Sequence, residues 1–332
     1  MDFQQVFSES DVKAEFLEKF DQLAEHAPGA AEGLESMTAP PDPAPAVESM
    51  AEGTFQPGSE PGLEAIIERF TRPVYLVQQS TFAVPPDPFP DSEVIRAKLD
   101  GGRAAMEHVI PSAGRIDLRN GRLDWVGTGW MVAPDVVVTN RHVAEEFSMR
   151  DNGGFAFKAN FGRPPVSASI DWRHEHGQPD ESIFRITEIL WVEPPGSVDV
   201  ALVRIEDTGA AGEQRPEVIE LMTREEVDAA GVSAWVAVVG YPARDSRNDL
   251  ADQQRIFDGI YNVKRLAPGQ VMGLEGQDLL QHDATTLGGN SGSVLVDLAS
   301  GKAIGLHFGG IEGDRNSAVQ APRVQELLDQ HA

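Results

Sequence analysis

The stretch "GTGWMVAPDVVVTNRHVAEEF" (residues 127–147) contains two short apolar runs separated by the turn signal Ala-Pro-Asp. Valine-rich runs of this length, bounded by proline and aspartate, are typical of antiparallel strands joined by a tight turn. His142 directly follows the second run, at the start of a short helical turn. An isolated histidine in such a place more often caps or packs than reacts. Its role therefore depends on what the rest of the chain supplies.

The same pattern of short β-type runs separated by turns extends from about residue 110 towards the C-terminus. The other runs are "RIDL", "FAFKANF", "VSASIDW", "ITEILWVE", "VDVALVRI", "VSAWVAVVGYP", "SVLVD" and "KAIGLHFGG". Many short strands at near-regular spacing predict an all-β antiparallel sandwich or barrel. The final segment "APRVQELLDQHA" predicts a C-terminal helix with Val324, Leu327 and Leu328 facing inward.

Two further segments carry reactive side chains in β contexts. In "SVDVALVRIE" (197–206), Asp199 lies in a run that is otherwise apolar on both faces. A buried carboxylate needs strong hydrogen bonds, which either a histidine N–H or backbone amides at a strand edge could donate. In "TTLGGNSGSVLVD" (285–297), Ser291 lies among glycines. This stretch is ordinary turn chemistry by itself, but a serine nucleophile needs a neighbouring base and an acid that orients the base. Residues without Cβ, at 288, 289 and 292, would also let backbone amides point at a developing oxyanion.

These segments resemble a known family. "TNRHVA", "VDVALVRI" and "GGNSGS" are similar to the three signature segments of chymotrypsin-like (trypsin-fold) serine peptidases, over roughly residues 111–332. The resemblance implies two antiparallel six-stranded β-barrels with the active site in the cleft between them. It also implies that His142 is the general base, that Asp199 orients it and that Ser291 is the nucleophile. The amides of Gly289 and Ser291 would form the oxyanion hole.

Within that fold, the bacterial glutamyl endopeptidases are the most similar in motif. "QHDATTLGGNSGS" and "GLHFGG" resemble their nucleophile and pocket segments, which makes Thr286 and His307 the residues that would hold a substrate glutamate. A hydroxyl and an imidazole N–H can both donate to a carboxylate. The alternative for His307 is a core histidine bonded to backbone. Thr285 stands where a trypsin-type pocket has its acid, so specificity for Lys or Arg is not expected.

The sequence departs from these families at two positions and at its N-terminal end. Asn290 replaces the aspartate that pairs with a new N-terminus in trypsin-like zymogens, and Leu287 stands in place of a second threonine. The glutamyl enzymes also use a mature N-terminal amine in the pocket, whereas about 110 residues precede the first barrel strand here. Either these N-terminal residues are removed, or the substrate pocket is formed in another way.

The region before the barrels predicts three parts. Residues 1–27 predict an amphipathic helix, residues 28–61, with seven prolines, a flexible linker, and residues 62–110 a helical connecting segment or pro-segment with a weak point at Gly101-Gly102. The helix is expected to dock on the peptidase domain (111–332) or on a partner protein rather than on a membrane surface, because lysine is scarce on its polar face. Its apolar face is formed by Val12, Phe16, Phe20 and Leu23.

Composition narrows the function further. The net charge is −26, and half of it lies in residues 1–100, which contain 19 acidic and 6 basic residues. Because a negative field repels phosphate backbones, nucleic acid is not an expected partner. No apolar run is long enough to span a bilayer, and no secretory signal is evident, which favours the cytoplasm. The chain has no cysteine. "RHEH" (173–176) lacks the spacing of a metal motif, so neither a metal nor a cofactor is expected.

The sequence thus predicts a serine endopeptidase that cleaves a protein or peptide substrate through an acyl-enzyme and that prefers glutamate or other acidic side chains. The N-terminal region suggests a regulated processing enzyme with a dedicated partner protein. The alternative is a catalytically inactive binding module built on the same fold. The physiological substrate and the oligomeric state are not predicted.

Overall fold

The computed structural model describes residues 2–25, 42–83, 92–159, 162–244, 256–310 and 316–332. In chain order the strands are β1 (Tyr75–Gln78), β2 (Thr81–Ala83), β3 (Ala113–Arg119), β4 (Trp125–Ala133), β5 (Val136–Thr139), β6 (Ser148–Asp151), β7 (Gly154–Phe157), β8 (Ser167–Asp171), β9 (Ile183–Val192), β10 (Ala201–Ile205), β11 (Trp235–Gly240), β12 (Arg265–Glu275), β13 (Leu279–His282), β14 (Val294–Asp297), β15 (Ala303–Gly310) and β16 (Asn316–Gln320). The helices are α1 (Phe3–Ser8), α2 (Ser10–Glu25), α3 (Ala44–Ala51), α4 (Pro61–Thr71), α5 (Glu93–Gly101), α6 (Arg103–Val109), α7 (Arg141–Ala144), α8 (Arg224–Ala230) and α9 (Ala321–His331).

The strands form two antiparallel barrels, which confirms the predicted fold class. The first is closed in the order β10-β5-β4-β3-β8-β9. The second runs β11-β14-β15-β16-β13-β12 and closes because β12 also pairs with β11. The inward faces of each barrel form its own apolar core. A third core joins the outward faces of both barrels, where Trp130 and Leu202 of the first meet Val239 and Val294 of the second. Helix α9 packs on this third core through Val324 and Leu327.

Strand β12 closes the second barrel, yet its sequence does not read as a strand. It contains Pro268, Gly269 and Gly273, which are residues typical of turns and depleted in strands. Gly269 is required by close packing, since a Cβ built on it would lie 2.5 Å from the backbone nitrogen of Ala284. The glycine therefore marks a close backbone approach inside a long strand rather than a chain reversal.

The N-terminal region forms a small helical core against the second barrel. The apolar face of α2 is buried together with residues of α3 and α4, and the side chain of Trp235 packs on the edge of this core. Helix α3 lies inside residues 28–61, where the sequence predicts a flexible linker, so that prediction is wrong for these eight residues. The physical reason is that Val47 and Met50 are almost completely buried. Residues 28–41 lie outside the described residues.

Two contacts continue the region into the second barrel. Strand β1 pairs with β12, with Tyr75 opposite Leu266, and β2 pairs with β1 at the edge of the sheet. Helices α5 and α6 meet at Gly102, within the Gly101-Gly102 weak point that the sequence predicts. No helix within the described ranges combines the length and the apolar character that crossing a bilayer requires.

Candidate active site

His142 is placed by the end of β5 and the short helix α7. Thr139, the last residue of β5, donates its hydroxyl to the carbonyl of Thr128 at 2.7 Å. The next residue, Asn140, donates its side-chain amide to the carbonyl of Asp199 at 2.9 Å. These bonds fix the start of α7, so the His142 side chain projects from the rim of the first barrel with 44% of its surface exposed.

Asp199 binds His142 through both carboxylate oxygens. Oδ2 lies 2.6 Å from Nδ1 of the ring, and Oδ1 accepts the backbone N–H of His142 at 3.1 Å. The carboxylate is largely buried, with 12% of the side chain exposed. An acceptor at Nδ1 fixes the ring proton there, which leaves Nε2 free to accept a proton. The sequence left open whether Asp199 binds a histidine or backbone amides. In the structure the carboxylate binds the ring of His142 and also the backbone N–H of the same residue.

The electrostatics of the pair keep Asp199 ionised. Burial is the largest influence on the pKa of Asp199 and raises it, but the hydrogen bond and the charge of His142, with a smaller contribution from Arg141, outweigh it. The pKa therefore lies below the ordinary aspartate value. A permanently charged carboxylate beside the ring can stabilise an imidazolium when one forms.

Ser291 lies in a tight turn before β14. Gly289 and Gly292 have φ angles of +88° and +86°, in the region that favours glycine. A Cβ on Gly292 would also lie 2.0 Å from the carbonyl oxygen of Thr128, and one on Gly289 would lie 2.5 Å from the ring of Trp125. Both the backbone conformation and the space therefore require glycine on each side of the serine.

The turn is brought next to α7 by Gly127. The carbonyl of Ser291 accepts the N–H of Thr128 at 2.8 Å. A Cβ on Gly127 would lie 2.8 Å both from that carbonyl oxygen and from Cγ2 of Val143, the residue after His142. Among the described residues, no hydrogen bond joins the His142 ring to the Ser291 hydroxyl. This contact is often long in enzymes without substrate and tightens when the complex forms.

The backbone of the turn leaves two amides available. Within the described part of the chain, neither Gly289 N–H nor Ser291 N–H donates to another backbone group. The N–H groups of Asn290, Gly292 and Ser293 are engaged, the second with the carbonyl of His307 at 2.9 Å. Two amides at this spacing are suited to binding an oxyanion.

Strand register gathers a second group of side chains beside the turn. His282 of β13 lies opposite Asn316 of β16, and His307 of β15 lies opposite Ala318 of the same strand. Residues opposite each other, and residues two apart on one strand, share a face. Thr286, just after β13, donates its hydroxyl to Oδ1 of Asn316 at 2.9 Å. The two residues that the sequence singled out as a pocket, Thr286 and His307, thus belong to one neighbourhood.

His282 and Asn316 were not singled out from the sequence. Nothing in the local pattern around them signals a pocket, because they come together only through the pairing of β13 and β16. Nε2 of His282 lies 3.1 Å from Nδ1 of His307, and both rings are buried. His307 is therefore a buried histidine, but its partner is another side chain rather than the backbone that the alternative interpretation expected.

Both imidazoles of this pair are neutral. Burial lowers the pKa of His282 to about 3. Burial, followed by the repulsion that a protonated His307 would meet from positive charge on His282 or His142, lowers the pKa of His307 well below its ordinary value. Nδ1 of His282 is buried with no hydrogen-bond partner among the described residues. Because an orphaned buried N–H is rarer than an orphaned acceptor, the favoured tautomer places the His282 proton on Nε2, donating to His307. His307 then carries its own proton on Nε2.

The histidines of the "RHEH" segment have other partners in the structure. His174 lies 3.5 Å from the carboxylate of Asp171, and the backbone carbonyl of His176 accepts from Gln78. Among the residues that the structure describes, no group of three or more His, Asp or Glu side chains could hold a metal ion.

The chain is similar to several known proteins. The chain is 34% identical over 235 residues to a probable serine protease of Lysobacter enzymogenes, covering 63% of this chain and 59% of that protein. It is 25% identical over 193 residues to the glutamyl endopeptidase of Staphylococcus epidermidis, covering 58% and 57%. A crystal structure of an inactive form of Rv3671c from M. tuberculosis H37Rv covers 68% of this chain and 89% of that one, at 20% identity and a TM-score of 0.43.

The chain thus spans less than two thirds of the length of these two curated relatives. The family model described as a trypsin-like peptidase domain matches residues 127–306, more than half of the chain. That range includes His142, Asp199 and Ser291. With two closed barrels and a matching domain, this chain belongs to the trypsin-like serine peptidases.

Proposed function

We propose that this protein is a serine endopeptidase in which His142, Asp199 and Ser291 form the catalytic triad. The observation that carries the proposal is the double contact of the Asp199 carboxylate with the ring and the backbone of His142. An aspartate that fixes the proton at Nδ1 leaves Nε2 as the basic nitrogen, and the Cβ position of Gly127 lies next to both the Ser291 carbonyl oxygen and Val143, the residue after His142.

The chemistry follows from this arrangement. Ser291 Oγ attacks the scissile carbonyl carbon while Nε2 of His142 takes the hydroxyl proton. The resulting oxyanion is stabilised by the N–H groups of Gly289 and Ser291. The imidazolium then gives its proton to the leaving amine, and an acyl-enzyme remains. Water, deprotonated by the same histidine, attacks the ester carbonyl, and the carboxyl product leaves with Ser291 restored.

We further propose that the enzyme prefers glutamate, or another acidic side chain, before the cleaved bond. A neutral His307 with its proton on Nε2 is a donor, and His282 stabilises that tautomer from behind. The Thr286 hydroxyl is a second donor, which in the free enzyme is directed to Asn316. A substrate carboxylate could take the place of the Asn316 oxygen as its acceptor. Glutamyl endopeptidases among the relatives support the same substrate class.

The triad proposal is tested with an active-site-directed fluorophosphonate and a mixed peptide library. We expect wild type to be labelled at Ser291 and Ser291→Ala to be folded, unlabelled and slower by a factor of about 10⁶. Absence of labelling in wild type, or labelling of another serine, would contradict the triad. Absence of labelling would leave the inactive binding module as the function.

The specificity proposal is tested on the same library with pocket variants. We expect cleavage after Glu to dominate in wild type, and that preference to fall in His307→Ala and in Thr286→Val. The exposed His108, changed to Ala, is the control, since it lies on α6 and pairs with Glu217. A wild-type profile without acidic preference, or the same preference in His307→Ala, would contradict the assignment.

Regulation through the N-terminal region is the last part of the proposal. The apolar face of α2 is covered by the region's own core, so a dedicated partner protein would meet the acidic polar surface instead. Such a contact weakens as salt screens it. We expect cleavage of a basic protein substrate to lose efficiency between low and physiological salt, while cleavage of a short neutral peptide does not. The same salt dependence for the protein substrate and the peptide would contradict regulation through the N-terminal region. A cytoplasmic location stays a prediction.

A further inference from the structure

We infer that Arg72, at the end of α4, is a positioning residue for the substrate pocket and that residues 42–83 are a permanent part of the working enzyme. This inference rests on the proposed function. It assigns to the N-terminal region the task of holding the chain segment that leads into Thr286, so that the pocket is built across the boundary between that region and the second barrel.

The first link is a buried ion pair. Nη2 of Arg72 lies 2.6 Å from Oδ2 of Asp283, and each side chain has 1% of its surface exposed. The same nitrogen donates to Oε1 of Gln270 at 3.0 Å, and Nη1 donates to the carbonyl of Thr71 at 2.8 Å. A buried charge pair with this many hydrogen bonds is held in one geometry, and breaking it leaves an uncompensated charge in the interior.

The second link is made by the backbone of the same residue. The carbonyl of Arg72 accepts the hydroxyl of Thr285 at 3.0 Å. Arg72 therefore contacts Asp283 through its side chain and Thr285 through its backbone carbonyl. Both residues lie in the short segment before Thr286: Thr285 directly precedes it, and Asp283 lies three positions earlier.

The segment is also fixed from the barrel side. Oδ1 of Asp283 accepts the backbone N–H of Gln270 at 2.7 Å, and the absence of a side chain on Gly269 lets β12 approach Ala284 closely. The carbonyl of Ala284 accepts the side-chain amide of Asn316 at 2.8 Å, the residue that also binds Thr286. Residues 283–286 are thus held between β12, β16 and Arg72, and Arg72 is the contribution from outside the barrel.

Loss of the N-terminal region would damage this arrangement in two ways. Asp283 would keep its buried place without its cation, and β12 would lose its pairing with β1 at Arg265 and Leu266. We therefore expect the active, phosphonate-labelled enzyme to retain Arg72. Intact mass and N-terminal sequencing of the labelled protein measure this directly, and an active form that begins after residue 72 would overturn the inference.

The role of Arg72 is measured in the full-length chain with Arg72→Met. The readout is discrimination, the ratio of kcat/KM for a peptide with Glu before the cleaved bond to kcat/KM for the same peptide with Ala. We expect the ratio to fall about tenfold or more, through a raised KM for the Glu peptide, with kcat and the rate of labelling by a small phosphonate nearly unchanged. A merely destabilised enzyme would lose activity on both peptides equally.

Two further variants make the outcome decisive. Arg69→Met makes the same change one turn earlier on α4, where the side chain approaches Asp258 at 3.7 Å, and it should leave discrimination unchanged. Thr285→Val removes the hydroxyl bond to Arg72 and conserves shape, so it should lower discrimination in the same direction. Thr285→Val decides the matter should Arg72→Met fail to fold.

The failures of the two proposals are distinguishable. An unlabelled or unselective wild type refutes the proposed function. A labelled, Glu-selective wild type whose selectivity survives in both Arg72→Met and Thr285→Val refutes the role of Arg72 alone.

Discussion

His282 and His307 face each other across β16 of the second barrel, with Nε2 of the first 3.1 Å from Nδ1 of the second and both rings buried. Two strands that are not neighbours in sequence supply them, and Ala318 and Asn316 of the strand between them lie on the same face. The pair combines two functions that a lone buried histidine cannot: it satisfies one ring nitrogen of each residue, and it sets the tautomer of His307.

Because of this pair, we expect the free energy of unfolding to decrease in acid. The pKa of His282 is about 3 in the folded protein because of burial, against about 6.5 in an unfolded chain. Between these values the unfolded state binds the extra proton, so the free energy of unfolding falls as pH falls from about 6.5 to about 3. His282→Gln keeps a donor towards His307 but cannot titrate. Urea midpoints measured across this range should decline less steeply in the variant, and an identical slope would contradict the buried neutral state.

A second buried base joins the two barrels. Nζ of Lys264 donates to the carbonyls of Ile110 at 2.9 Å and Trp172 at 2.6 Å, and burial lowers its pKa to about 8. The unfolded lysine titrates near 10.4, so between about 8 and about 10.4 the unfolded state holds more protons and stability rises with pH.

Lys264→Met removes both bonds, and we expect the variant to be less stable at pH 7 by about 1–3 kcal/mol. It should also lack the gain from pH 8 to 10. Chemical unfolding monitored by tryptophan fluorescence measures both effects. A variant as stable as wild type at pH 7 would show that the two bonds contribute nothing net.

Much of this molecule is readable from its sequence because local pattern and tertiary context agree there. The strands next to His142 and Asp199, β5 and β10, are apolar and bounded by turns, and the glycines around Ser291 are required both by φ angle and by space. The structure at such positions can be predicted from the local sequence alone, without knowing which residues contact them in the fold.

The sequence fails where pairing overrides local preference. Strand β12 carries Pro268 and Gly269 and still closes a barrel, because β11 and β13 supply its partners. Helix α3 forms in a proline-rich stretch because its apolar side chains complete a core with α1 and α4. Asn316 and Arg72 acquire their roles from residues 30 and 211 positions away. Contacts over such distances leave no periodic signal.

The bond between Asp199 and His142 predicts a large effect of Asp199→Asn on turnover. An amide can present an N–H to Nδ1 of the ring, which moves the ring proton to Nε2 and removes the base. We expect kcat to fall by about 10⁴ with the fold intact. Asp135→Asn, which alters an ion pair with Arg204 elsewhere on the first barrel, is the matched control and should keep near wild-type turnover. Phosphonate labelling rates report the same loss, and an active Asp199→Asn enzyme would exclude the triad.

Gly127 offers a test of the juxtaposition of α7 and the serine turn. Alanine there would place its Cβ 2.8 Å from both the Ser291 carbonyl oxygen and the Val143 side chain. Those two groups must move apart to admit it, which separates Ser291 from His142 and costs stability of about 1–3 kcal/mol. We expect kcat/KM to fall at least tenfold at a temperature where the variant remains folded. Gly273→Ala on β12, where the nearest atom to the new Cβ is 3.7 Å away, should change neither property. If Gly127→Ala were as active as wild type, the separation of α7 and the turn would not limit catalysis.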